Sequence, residues 1–265
     1  MQQRPSASRR GLDSRLGLNP PERRRGGGGG MIVLPRLVGV LIAVMAIVHV
    51  LGVLGLGRTL DWVLGFIPAR FLAGLNGQVG LTETLLPLVG HVFVHGNLPH
   101  LLLNSLWLAV FGTGVVRRLA VEGADGRTHP FNAAVFLAFF FACGVAGALF
   151  YAAFNPASPV VLIGASGAIS GLMAGAMRFA LRPFAPFGPE QGRLAPMSAR
   201  PVIVASAVYI GFNLLTAIGA GGVFGSGLTI AWEAHIGGYL FGLFAFPLFD
   251  GCARRSSPIS APNPS

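Results

Sequence analysis

From Thr128 to Met177 the chain carries no Asp, Glu, Lys or Arg. A water-soluble domain keeps charged side chains spread over its outer faces, so a run of this length fits a bilayer and not a globule in water. One helical crossing takes about 20 apolar residues, so the run is too long for a single span. Asn155-Pro156-Ala157-Ser158-Pro159 divides it, because proline removes a backbone donor and disfavours helix in the residue before it. Two spans follow, near 131–153 and near 163–182. Residues 37–57 are charge-free and predict a first span, and the stretch between Glu83 and Arg117 holds a second, near 97–116. Residues 201–232 hold a fifth, ending in the glycine-rich run from Gly219 to Gly227, and a sixth runs from about Leu228 to Phe249. The fold class is therefore all-α: a membrane bundle of six transmembrane helices.

Composition agrees. Charged residues are 11% of the chain, against about 25% in soluble domains, hydrophobic residues are 53%, and the mean hydropathy is +0.67. The net charge of +10 would suit nucleic acid if it formed a basic face on a polar domain. The basic residues, all arginine, instead sit between apolar runs, which excludes a nucleic-acid reading. Two cysteines, Cys143 in an apolar run and Cys252 near the tail, make neither a disulfide framework nor a zinc ribbon.

The arginines orient the bundle. All but Arg58 and Arg70 fall before the first span, between the second and third, from the end of the fourth to the fifth, or after the sixth. The positive-inside rule puts those segments, and both termini, in the cytoplasm. Residues 1–30, rich in Arg, Gly and Pro, bury nothing and are expected to be a disordered cytoplasmic tail. Residues 31–250 form the six-span domain and residues 251–265 a short cytoplasmic tail. The external loop from Arg58 to Val94 has an apolar piece, Trp62 to Leu75, suited to the membrane interface.

Polar groups inside spans are costly and mark function. Three clusters qualify. In His95-Gly-Asn97-Leu-Pro99-His100-Leu-Leu-Leu-Asn104, Asn97 can cap the second span and Pro99 suits its first turn. His100 and Asn104 are then i and i+4 on one face, with His95 just before the helix. Gly164-Ala165-Ser166-Gly167 enters the fourth span, and Ala234-His235-Ile236-Gly237-Gly238 opens the sixth. Gly167, Gly171 and Gly175 repeat every fourth residue, as do Gly238 and Gly242, a spacing that lets membrane helices approach closely. If those faces meet, Ser166 comes within reach of His235, and an adjacent imidazole activates a serine hydroxyl. His49 and His129 read as packing or interface residues, Glu233 points away from His235, and Arg118 reads as a positive-inside anchor.

Taken together, His95-x4-His100-x3-Asn104, Gly164-x-Ser166-Gly167 and Ala234-His235-x2-Gly238-x3-Gly242 resemble the motifs of the rhomboid family of intramembrane serine proteases, in the family's order and on its helices. The resemblance implies that Ser166 is the nucleophile and His235 its base, without a carboxylate. It implies an oxyanion hole from His100 and Asn104, with the Ser166 backbone N–H. It gives His95 the task of holding the external loop against the second helix. The glycines Gly164, Gly167, Gly238 and Gly242 are supporting positions. Where the family often has Trp-Arg, a Glu and a bulky aromatic, this chain has Leu86-Pro87, Val116 and Ser170. Ser170, i+4 from Ser166, could bond the imidazole instead.

The function implied is cleavage of single-span or polytopic membrane proteins within the lipid bilayer, with no metal and no cofactor. A bacterial inner membrane is the expected location, because one span precedes the histidine motif. A non-catalytic rhomboid-like module that binds or escorts membrane proteins is the alternative. A transporter would show matched broken helices in two halves, and no internal repeat is found. His91-Val-Phe-Val-His95 has zinc-helix spacing but lacks the Glu after its first His, and Gly96 and Pro99 separate His95 from His100.

Overall fold

The computed structural model describes residues 34–122, 127–181, 192–217 and 231–256. Eight helices organise them: α1 (Arg36–Leu64), α2 (Pro68–Leu75), α3 (Leu81–Gly90), α4 (Leu98–Arg118), α5 (Pro130–Phe154), α6 (Ser166–Ala180), α7 (Arg200–Ala217) and α8 (Trp232–Ser256). No strand is present among the described residues, only two isolated bridges, Phe66 with Leu162 and Glu122 with Thr128. The expected tail 1–30, the run Gly219–Gly227 and most of 251–265 lie outside the described residues.

Five helices, α1, α4, α5, α7 and α8, are long and apolar enough to cross a membrane. The chain is an integral membrane protein. The expected fourth span differs from the rest. Its helix, α6, has 15 residues, about 22 Å at 1.5 Å per residue, short of the roughly 30 Å hydrocarbon layer. The reason is tertiary. Leu162, just ahead of it, pairs with Phe66 of the external loop (Leu162 N–H to Phe66 carbonyl 2.7 Å, Phe66 N–H to Leu162 carbonyl 3.0 Å), and the Gly164 N–H bonds the His91 carbonyl at 2.9 Å. The Leu162–Phe66 pairing ahead of the span and the Gly164–His91 bond inside it hold the first residues out of the helix, and α6 begins at Ser166.

Helix α6 lies deep in the bundle, packed between α5 and α8. Its small side chains make that possible. A Cβ at Gly238 would collide with the Gly167 carbonyl, and one at Gly242 with the Gly171 carbonyl, so α8 rests backbone to backbone on α6. The glycine faces expected to meet do meet. Around them, Phe136, Phe139, Phe140, Leu172 and Phe246 fill the core. Helix α7 contrasts sharply: among its described residues only Val202 and Asn213 are buried, while Ile203, Val204, Val208, Phe212 and Leu215 are exposed.

The Asn97 cap and Pro99 act locally as expected, and other local signals join them. Asn97 caps α4 by accepting the His100 N–H at 2.9 Å, and a proline stands in the first turns of α4, α5 and α2. In α1, Gly55 (φ 112°) lets the helix bend through Gly52–Leu56. Arg70 of α2 bonds the Trp62 carbonyl, donates to the Gly65 carbonyl at 2.8 Å and lies over the Trp62 ring.

Two arginines expected to mark the cytoplasmic side turn out to have inward partners. Arg118 makes a two-pronged ion pair with Asp250 (2.7 and 2.9 Å), which also takes Arg254 at 3.0 Å. Arg178 is buried and donates to the Ala195 carbonyl at 2.9 Å and the Leu243 carbonyl at 2.8 Å. Leu243 needs that donor, because Pro247, four residues on, has no N–H to give it. Arg178 stands in the last turn of α6, and its partner Leu243 and the ion-paired Asp250 lie in the middle and C-terminal half of α8, away from the helix starts that carry Ser166 and His235.

Candidate active site

Ser166 is the first residue of α6, and His235 lies in the first turn of α8. The glycine contact between the helices fixes their separation. The Ser166 hydroxyl lies 2.8 Å from His235 Nε2, and both side chains are half-buried. A hydroxyl at that distance donates to an imidazole nitrogen that carries no proton.

The other ring nitrogen has a partner that sequence reasoning missed. His235 Nδ1 lies 2.8 Å from Oδ1 of Asn213 on α7. The Asn213 amide donates to the Tyr209 carbonyl at 2.9 Å, and a carbonyl only accepts, so the amide nitrogen points there and the amide oxygen faces the imidazole. Tyr209 sits one turn earlier and stacks on Tyr239 of α8. Its hydroxyl lies 2.6 Å from Ser170 Oγ, and Ser170 donates to the Ser166 carbonyl at 2.6 Å. The hydroxyl of Ser170 is thus engaged away from the imidazole, contrary to the expected option. The signal that could have found Asn213 and Tyr209 was available: a polar pair at i and i+4 in an otherwise apolar span.

His100 and Asn104 meet at Gly164, two residues before the serine. Gly164 has φ 111°, a conformation that favours glycine, and a Cβ there would stand 2.7 Å from the His100 ring and 3.9 Å from the Asn104 amide nitrogen. Asn104 is buried and donates to the His100 carbonyl at 2.9 Å. That uses one of its two amide hydrogens. His95 is buried and meets the His100 ring edge-on, with centroids 5.0 Å apart. Its carbonyl accepts from His49 of α1 at 3.1 Å, so His49 is a tie between α1 and this loop. Glu233, as expected, points elsewhere and accepts from Asn155 at 3.0 Å.

His91 donates from Nδ1 to the Pro87 carbonyl at 3.0 Å, and His95 Nδ1 faces the Phe93 carbonyl at 3.3 Å. Among the described residues no three His, Cys, Asp or Glu side chains converge in a metal-binding cluster. A cavity of about 190 Å³ lies away from Ser166, lined by His49, Gly52, Asp61, Val94 and His95 among others.

Among curated proteins, none matches the chain significantly. The family model of the Rhomboid domain matches residues 82–249, more than half of the chain and the whole stretch that carries His95, His100, Asn104, Ser166 and His235, and the chain belongs to the rhomboid family.

Proposed function

We propose that this protein is an intramembrane serine endopeptidase that cleaves peptide bonds in or beside the transmembrane segments of other membrane proteins. The observation that carries the reading is the 2.8 Å bond between the Ser166 hydroxyl and His235 Nε2, made inside a helical bundle of a family that acts on membrane-protein substrates within the bilayer.

In this reading His235 takes the Ser166 proton as Oγ attacks the scissile carbonyl carbon. The resulting oxyanion is met by the Ser166 backbone N–H and the side chains of His100 and Asn104. Those donors stand at the N-terminus of α6, where the helix dipole also favours negative charge. The carbon–nitrogen bond then breaks, and the His235 proton goes to the leaving amine. Water, deprotonated by His235, hydrolyses the acyl ester and returns Ser166. A spanning substrate helix has its backbone bonds satisfied internally, so it unwinds locally before its carbonyl reaches Ser166.

The reading includes six crossings, with the short α6 shielded from lipid by its neighbours and opening at its serine end to water on the outer side. Both termini are cytoplasmic, the protease domain is 31–250 with tails 1–30 and 251–265, and the location is a bacterial inner membrane. His95, Gly164, Gly167, Gly238 and Gly242 hold the site together, and neither metal nor cofactor takes part. The test is cleavage of tagged single-span proteins in proteoliposomes by wild type and by Ser166→Ala. Wild type cleaves at least one and Ser166→Ala none. Capture of a client by both proteins with cleavage by neither supports the non-catalytic binding module instead.

A further inference from the structure

The imidazole of His235 is held from both sides, and its second partner comes from α7, on which only Val202 and Asn213 are buried among the described residues. On α7 the outward residues are apolar and exposed, yet Asn213 is buried and turned inward against His235. Its Nδ2 is committed to the Tyr209 carbonyl, which leaves Oδ1 able only to accept. His235 therefore carries its proton on Nδ1 and presents a bare Nε2 to Ser166, the arrangement a general base requires.

We propose that Asn213 is a positioning residue for His235, completing a Ser166–His235–Asn213 relay in which the third member is supplied by α7. This rests on the protease reading above. The proton on Nδ1 stays with the imidazole throughout. Asn213 orients the ring, selects its tautomer, and faces the imidazolium formed in the transition state with an amide dipole. The same helix also reaches the nucleophile's helix, because Tyr209 donates to Ser170 while Ser170 donates to the Ser166 carbonyl. Asn213 and Tyr209 are i and i+4, so one face of α7 touches both halves of the site.

The test uses the purified full chain in detergent with a tagged single-span substrate, comparing wild type, Asn213→Leu and Asn213→Asp. Leucine keeps the volume and removes the acceptor, whereas aspartate keeps an oxygen toward Nδ1. The expected result is a fall in kcat of about 10- to 100-fold for Asn213→Leu with KM little changed, below the 10²–10⁴ that acid–base catalysis as a whole contributes. Asn213→Asp recovers most of the rate. Imidazole nitrogen NMR of selectively labelled His235 shows the Nδ1–H tautomer in wild type and a mixture in Asn213→Leu. Wild-type kcat in Asn213→Leu, or an equal loss in both variants with an unchanged tautomer, overturns the proposal. A wild type that neither cleaves nor reacts with a serine probe overturns the protease reading, and the tautomer measurement then still decides whether Asn213 fixes the ring.

Discussion

Gly238 rests on the carbonyl of Gly167 with no room for a side chain between them. That contact sets the distance between the helices of Ser166 and His235. It predicts that Gly238→Ala, a single added methyl, separates α6 from α8. Overpacking of this kind costs about 1–3 kcal/mol. The protein is expected to remain foldable but to lose labelling by a serine-directed probe, with unfolding in denaturing detergent measured alongside. Normal labelling of Gly238→Ala would show that the helix contact does not set the site geometry.

The oxyanion assignment predicts graded losses. Removal of one such donor costs about 10²–10³ in turnover where it has been measured. Asn104→Ala and His100→Ala are each expected to lower kcat within or somewhat below that range in steady-state cleavage assays, since other donors remain. Wild-type rates in both variants would give these residues a structural role alone.

Arg178 and Pro247 predict a coupling far from the chemistry. Arg178 donates to the Leu243 carbonyl that Pro247 leaves without a helical partner. A buried polar group left unsatisfied costs about 1–3 kcal/mol. Arg178→Met is expected to destabilise the bundle, and Pro247→Ala, which restores an N–H for Leu243, to reduce that loss. A double-mutant cycle on unfolding free energy reads the coupling; strict additivity would remove the link.

The serine reading predicts that cleavage survives a strong metal chelator. His91 and His95 are each turned to backbone carbonyls. Chelator-sensitive activity restored by zinc, with Ser166→Ala still active, would reverse the assignment.

Local chemistry makes much of this protein legible in its sequence. Asn97 caps its own helix, glycines four apart share a face, and proline breaks the long apolar run, all within a few residues of one another. What stayed hidden depends on partners distant in sequence. The start of α6 at Ser166 follows from Leu162 meeting Phe66 and Gly164 meeting His91, pairings that no periodicity encodes. Charge distribution gives Arg118 and Arg178 an expected cytoplasmic side, but not that Arg118 finds Asp250 or that Arg178 serves a proline-freed carbonyl. The spacing of Ser170 from Ser166 leaves open a bond to the imidazole. Ser170 bonds back to the carbonyl one turn earlier, as serines inside helices often do, and meets Tyr209. Asn213 stands out in the sequence only as a polar residue in an apolar span, and nothing near it points to His235.

The central claim is that His235 activates Ser166 for nucleophilic attack. Its most direct test is mass-spectrometric mapping of the adduct formed with a fluorophosphonate probe in wild type and in His235→Ala. The account predicts a single adduct on Ser166 in wild type and none in His235→Ala. An adduct on another serine, or equal labelling of Ser166 without His235, would contradict it.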